Sequence, residues 1–254
     1  MTEPDAPTPF RLAYVPGVTP SKWVRIWGER HPDVRLELVD TTAADAPTLL
    51  RDGLADAGLV RLPIDSVGLS VIALYEETPV VVVPKDHVVT AADEVSTADL
   101  EGEIVLHPLD DALDWESLPG TPAAQRPATT ADAIELVAAG IGVLVLPQSL
   151  ARLHHRKDLT YRTVTDAPES PVALAWPQDA TTDRVEEFVG IVRGRSVNSS
   201  RGRDAQEPAP KRTASQKAAA KQAARAKAGK TPTPGTPRAA SPPSAAGADA
   251  PVRG

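Results

Sequence analysis

The chain has 254 residues, 41% of them hydrophobic, no cysteine, and a formal net charge of -7. Without cysteine there are no disulfides, thiolate nucleophiles or Cys-ligated zinc, which suits a reducing compartment. The opening Met-Thr-Glu-Pro-Asp has neither the basic start nor the apolar run of a secretory signal, and the runs Val80 to Val83 and Ile141 to Leu146 fall short of the roughly 20 residues that span a bilayer, so a cytoplasmic protein is expected.

In chain order, residues 1–9 carry no pattern and are expected to be disordered. Phe10 to Val15 predicts a strand. Thr19-Pro20 then supplies a helix cap followed by proline at the first helical position, with Trp23, Ile26 and Trp27 as the apolar stripe. Val34 to Val39 alternates as a half-buried strand, Asp45 to Asp52 predicts a short helix closed by Gly53, and the apolar Asp56 to Arg61 predicts a buried strand. Leu69 to Leu74 and the valine-rich Pro79 to Val83 predict two more, the second covered on both faces. Ser96 to Glu101 begins a short helix with Ser-x-x-Asp, Glu103 to Leu106 returns to strand, and Asp110 to Pro127 is mostly loop.

Thr129-Thr130 caps a helix carrying Ile134, Val137 and Ala138, which Gly140 ends before the strand Gly142 to Leu146. Gln148 to Leu153 predicts a helix, Leu159 to Val164 and Val172 to Trp176 strands, and Thr182 caps a last helix with Val185, Phe188, Val189 and Val192 on its buried face. Strands alternating with short helices predict an α/β fold with mainly parallel pairing. Beyond about Arg195 the pattern stops. Residues 201–254 hold no Leu, Ile, Met or aromatic residue and carry eleven Lys/Arg against three Asp/Glu, a net of +8 that leaves -15 on residues 1–200. A basic, Ala/Pro/Lys-rich tail over 196–254 is therefore expected to be disordered, and any nucleic-acid contact falls to it, with Lys217, Lys221, Arg225 and Lys227 at helical offsets of 4, 8 and 10.

Three segments set a resemblance: Phe10-Arg-Leu-Ala-Tyr-Val-Pro-Gly-Val-Thr-Pro, Glu29-Arg-His-Pro-Asp-Val-Arg-Leu-Glu-Leu, and Leu49-Leu-Arg-Asp-Gly-Leu-Ala-Asp-Ala-Gly-Leu-Val-Arg. With Leu74-Tyr-Glu-Glu-Thr-Pro-Val-Val-Val-Val-Pro-Lys-Asp-His and Ala138-Ala-Gly-Ile-Gly-Val-Leu-Val-Leu-Pro, their order and spacing resemble the effector-binding domain of LysR-type transcriptional regulators. The resemblance implies a two-lobed, type 2 periplasmic-binding-protein-like fold over residues 10–195, with lobe one at 10–80 and 170–194 and lobe two at 81–169. It also implies side-by-side homodimers, for which Trp23 and Trp27 offer apolar area. That family carries a winged helix-turn-helix ahead of this domain. Only nine residues precede Phe10, so regulation through a partner is expected.

The candidate site follows from helix starts, whose unpaired N–H groups suit an anion. Thr19, Pro20 and Ser21 open the first helix and Thr129 and Thr130 the equivalent one in lobe two; each hydroxyl has the alternative of an ordinary cap. Arg61 ends a buried strand where an open α/β sheet presents its ligand crevice, and it either clamps an anion or pairs with Asp65, Glu76 or Glu77. Thr78 lies where the chain leaves lobe one. The pair His154-His155, beside Arg152, Arg156 and Lys157, predicts a solvated basic face, and neither a metal site nor a cofactor is expected. No Gly-x-x-x-x-Gly-Lys, Gly-x-Gly-x-x-Gly or Gly-x-Ser-x-Gly pattern supports phosphoryl transfer, dinucleotide binding or serine hydrolysis. The expected function is sensing of an anionic or polar metabolite. The alternatives are an enzyme on the same bilobal fold and a nucleic-acid-associated protein acting through its tail.

Overall fold

The structure is a computed structural model that describes residues 8–195. The expectations for the first residues and for the tail, including Lys217, Lys221, Arg225 and Lys227, lie outside the described residues. Two sheets organise the rest. The first has the order β2-β1-β3-β11-β4, built from β1 (Phe10–Tyr14), β2 (Leu36–Asp40), β3 (Ala57–Arg61), β4 (Leu69–Glu77) and β11 (Ser170–Pro177). The second has the order β6-β10-β5-β9-β7-β8, from β5 (Pro79–Pro84), β6 (Glu94–Val95), β7 (Ile104–Leu106), β8 (Thr121–Pro122), β9 (Val143–Pro147) and β10 (Leu159–Val164). The chain passes from the first sheet to the second at Thr78 and returns between β10 and β11.

Pairing is mixed rather than mainly parallel. β1 runs parallel to β2 and β3, and β7 to β8 and β9, but β11 is antiparallel to β3 and β4, and β5 to β9 and β10. The strands that carry the chain between the sheets make every antiparallel pair, because each returns against the direction set by the local strand-helix-strand units.

Alternation along β5 shows how sequence becomes packing. Val80 and Val82 enter one apolar cluster with Ile134, Val137 and Leu144, while Val81 and Val83 enter another with Leu100, Val105 and Val143. Side chains two apart share a face, so a run of four valines demands cover on both sides. In the first lobe an aromatic cluster joins three segments: Phe10 stacks on Trp27 of α1 (Ser21–Arg30) with centroids 4.6 Å apart, and Phe188 of α5 (Asp183–Val192) lies 5.2 Å from Phe10. The Trp27 indole N–H donates to the Val34 carbonyl at 2.9 Å, which lets its polar atom be buried without loss. Trp27 is thus core, and of the two tryptophans only the half-buried Trp23 leaves apolar surface on α1, alongside the half-buried Val24 and Ile26.

Local starts differ from expectation at two places. Pro20, not Thr19, occupies the cap position of α1, without a side-chain cap bond. The Ser96 to Glu101 segment forms a single 3-10 turn, Ala98–Leu100, because Asp99 accepts from both the Ser96 N–H and hydroxyl at 2.8 Å and closes the turn on itself.

Candidate functional site

The order β2-β1-β3 places the chain's first strand between the next two, so the loops after β1 and β3 diverge and leave a crevice at the carboxyl ends of the strands. Lobe one supplies three loops to it: Pro16 to Thr19 after β1, Thr41 to Ala44 after β2, and Leu62-Pro63 after β3. The second sheet supplies the start of α4 (Gln148–Leu153) and the segment Asp111 to Asp114.

At Gly17 the lobes touch. Its φ of +83° is a left-handed conformation, and a Cβ there would stand 2.6 Å from the Ser149 hydroxyl of α4 and 3.0 Å from an Arg61 nitrogen. Only glycine admits both the turn and the approach. Behind it lies a buried polar network. Arg61 Nη1 donates to Glu77 Oε2 at 2.6 Å and to the Ser170 hydroxyl at 3.0 Å, and Nη2 donates to the Pro16 carbonyl at 3.1 Å and the Ser149 hydroxyl at 3.0 Å. Ser149 in turn donates to Glu77 Oε2 at 2.7 Å. The side chains of Arg61 and Glu77 are only 4% and 9% exposed. Five segments meet here: β3, the loop after β1, the end of β4, the start of β11 and α4. Of the two readings of Arg61, the ion pair is the one found, with Glu77. Recruiting its guanidinium for a ligand would strip Glu77 of its counter-charge, a change worth about 3–5 kcal/mol for a buried pair.

A cavity lies on each side of this contact. The larger, ≈ 740 Å³, is lined by Tyr14, Pro16 to Thr19, Asp40 to Thr42, Ser149, Arg152 and Leu153. The smaller, ≈ 310 Å³, is lined by Ala43, Ala44, Arg61 to Pro63 and Asp111 to Asp114. Asp111 is turned inward, accepting from the Leu113 N–H at 3.0 Å and standing 3.2 Å from the His107 ring. Burial pushes its pKa up, against opposing contributions from those neighbours. Tyr14 and Asp40 are side by side in register on β1 and β2, and the hydrogen bond to Asp40 raises the tyrosine pKa.

The predicted residues divide. Thr19 lines the larger cavity and Arg61 the smaller. Pro20 is buried and Ser21 exposed, and neither lines a cavity. Thr78 holds α4 in place through its backbone, its carbonyl accepting from the Gln148 N–H at 3.0 Å, while its side chain is exposed. Thr129 forms a capping box with Asp132, accepting from its N–H at 3.1 Å, and Thr130 is buried and donates to Asp110 at 2.9 Å. The two hydroxyls at the start of α3 (Thr130–Ala138) therefore serve their own helix and its neighbouring loop. Sequence reasoning placed Arg152 on a solvated basic face and missed that this exposed residue also lines the crevice wall. It also missed Asp40 and Thr41, whose signal was their place at the end of the second parallel strand.

Two sheets joined by two crossings, with a crevice over the carboxyl ends of three strands, define a two-lobed fold of the type 2 periplasmic-binding-protein kind. Residues 9–197 match the LysR substrate binding domain, and the chain belongs to that family. Among solved structures it resembles the BenM effector binding domain with its effector benzoate, at a TM-score of 0.64 and 21% identity over 75% of this chain and 92% of that one. It also resembles the oxidized form of OxyR, at a TM-score of 0.62 and 20% identity over 74% and 95%. A probable hydrogen peroxide-inducible genes activator of Mycobacterium leprae is 29% identical over 56% of this chain and 50% of that protein. The Hca operon transcriptional activator HcaR of Escherichia coli is 24% identical over 65% and 60%. The chain spans about half the length of the first of these relatives.

Proposed function

We propose that this chain senses a small polar metabolite in the crevice between its two sheets and passes the result to transcription, as a binding module rather than an enzyme. The observation that carries the reading is the crevice at the carboxyl ends of β1, β2 and β3, roofed by a second sheet joined to the first by two crossings of the chain. Such a placement lets a ligand bridge two bodies and bias their closure. Membership of the LysR substrate binding domain family supports it. Several relatives are peroxide-inducible gene activators, but these 254 residues contain no cysteine, so a thiol-based response to peroxide is not open to them.

Within this reading, lobe one comprises about residues 10–80 and 170–194 and lobe two 81–169, the protein works in the cytoplasm, and it pairs as a homodimer. Sedimentation at tens of micromolar tests the pairing. Among the described residues no helix is long and apolar enough to cross a membrane. The function is tested by a thermal-shift screen against a metabolite library with a turnover assay on each hit. A ligand at 100 times its Kd raises stability by about 2.7 kcal/mol. Stabilisation without consumption is expected; turnover of a stabilising compound would replace sensing by catalysis.

A further inference from the structure

Resting on the sensing reading, the chemistry of the larger cavity narrows the ligand. Arg61 is already neutralised by Glu77 and has four of its five N–H donors engaged, so the smaller cavity offers an anion no available cation and presents Asp111 and Asp114 instead. On the other side of the Gly17 contact the balance changes. Arg152 stands on the lobe-two wall of the ≈ 740 Å³ cavity and makes no ion pair among the described residues; its one side-chain contact is a 3.5 Å approach of Nε to the Tyr161 hydroxyl. Its two terminal nitrogens are left to meet a planar acid group. The other charged residue lining this cavity, Asp40, comes from lobe one, where it is the register partner of Tyr14, and its carboxylate offers several acceptor positions. Val18 and Leu153 supply apolar wall between them.

We propose that the larger cavity takes an amino or hydroxy carboxylic acid, its carboxylate on Arg152 and its hydrogen-bond-donating group on Asp40. A simple dianion is disfavoured because its second charge meets Asp40. An amine without an acid leaves Arg152 unused. Because the two charges sit on different lobes, only a ligand with both groups ties the lobes together, which links recognition to closure.

The test uses the full chain and three probes of increasing length, glycine, 4-aminobutyrate and 6-aminohexanoate, each beside its amide and the diacid of matching length, with binding read by calorimetry and thermal shift. Arg152→Gln and Asp40→Asn are the variants; both residues are exposed, so folding should be unaffected. At least one amino acid should bind, its amide and diacid at least tenfold more weakly. Arg152→Gln should weaken it tenfold or more, and Asp40→Asn should bring the amino acid and diacid to within about threefold. If compounds of any class stabilise the fold but both variants bind them unchanged, the sensing reading stands and this assignment falls. If neither these probes nor a metabolite library shifts the melting temperature, both fall.

Discussion

Replacing Arg61 by leucine removes the cation from the buried network while leaving its partner in place. Glu77, 9% exposed at the side chain, would keep only the Ser149 hydroxyl at 2.7 Å, and the Pro16 carbonyl and Ser170 hydroxyl would each lose a donor. An orphaned buried charge costs about 3–5 kcal/mol, a large part of the about 5–15 kcal/mol that holds a domain folded. For a domain of this size that is roughly 6 to 20 °C in Tm. Urea unfolding of wild type and Arg61→Leu at pH 7 measures the loss. A deficit below about 1 kcal/mol would refute the description of this pair as a buried, mutually dependent unit. The double variant Arg61→Leu/Glu77→Leu should recover most of the loss, since a buried pair replaced by apolar residues is often neutral.

Gly17→Ala should cost about 1–3 kcal/mol in thermal melts, from the φ of +83° and a Cβ 2.6 Å from the Ser149 hydroxyl, whereas Gly53→Ala, also at positive φ but facing open space, should cost less. Asp111, its pKa raised by burial, takes up protons on folding, so its contribution falls as pH rises above the ordinary aspartate value of about 3.9; Asp111→Asn should flatten that part of the stability–pH curve. For the basic tail, DNA affinity of the full chain should fall with salt at about 0.9 log units per phosphate contact and be lost in a protein truncated at Arg195. Equal affinity of the two at low salt would leave the tail without a DNA role.

Where periodicity and local chemistry decide the structure, the sequence was a sufficient guide. The alternating valines of β5 met two apolar clusters, Thr182 capped α5, and Thr129 capped α3. The direction of pairing was hidden, because the antiparallel pairs arise from the crossing strands β4, β5, β10 and β11, and nothing local to Ser170–Pro177 says that it lies between β3 and β4. The site was legible to the level of elements but not of partners. Arg61 meets Glu77 across 16 residues, Ser149 across 88 and Ser170 across 109, so the choice between ligand clamp and ion pair waited on the fold. Arg152 was obscured by its neighbours, since a run of basic residues at the end of a short helix has the composition of a solvated face.

The central claim is that a small molecule bridges the two lobes at the carboxyl ends of β1, β2 and β3. A crystal structure of the chain with the most stabilising metabolite tests it most directly. The account predicts that compound between the Pro16 to Thr19 and Thr41 to Ala44 loops on one side and α4 or the Asp111 to Asp114 segment on the other. A compound bound on the outer face of either sheet, with the crevice unchanged, would contradict it.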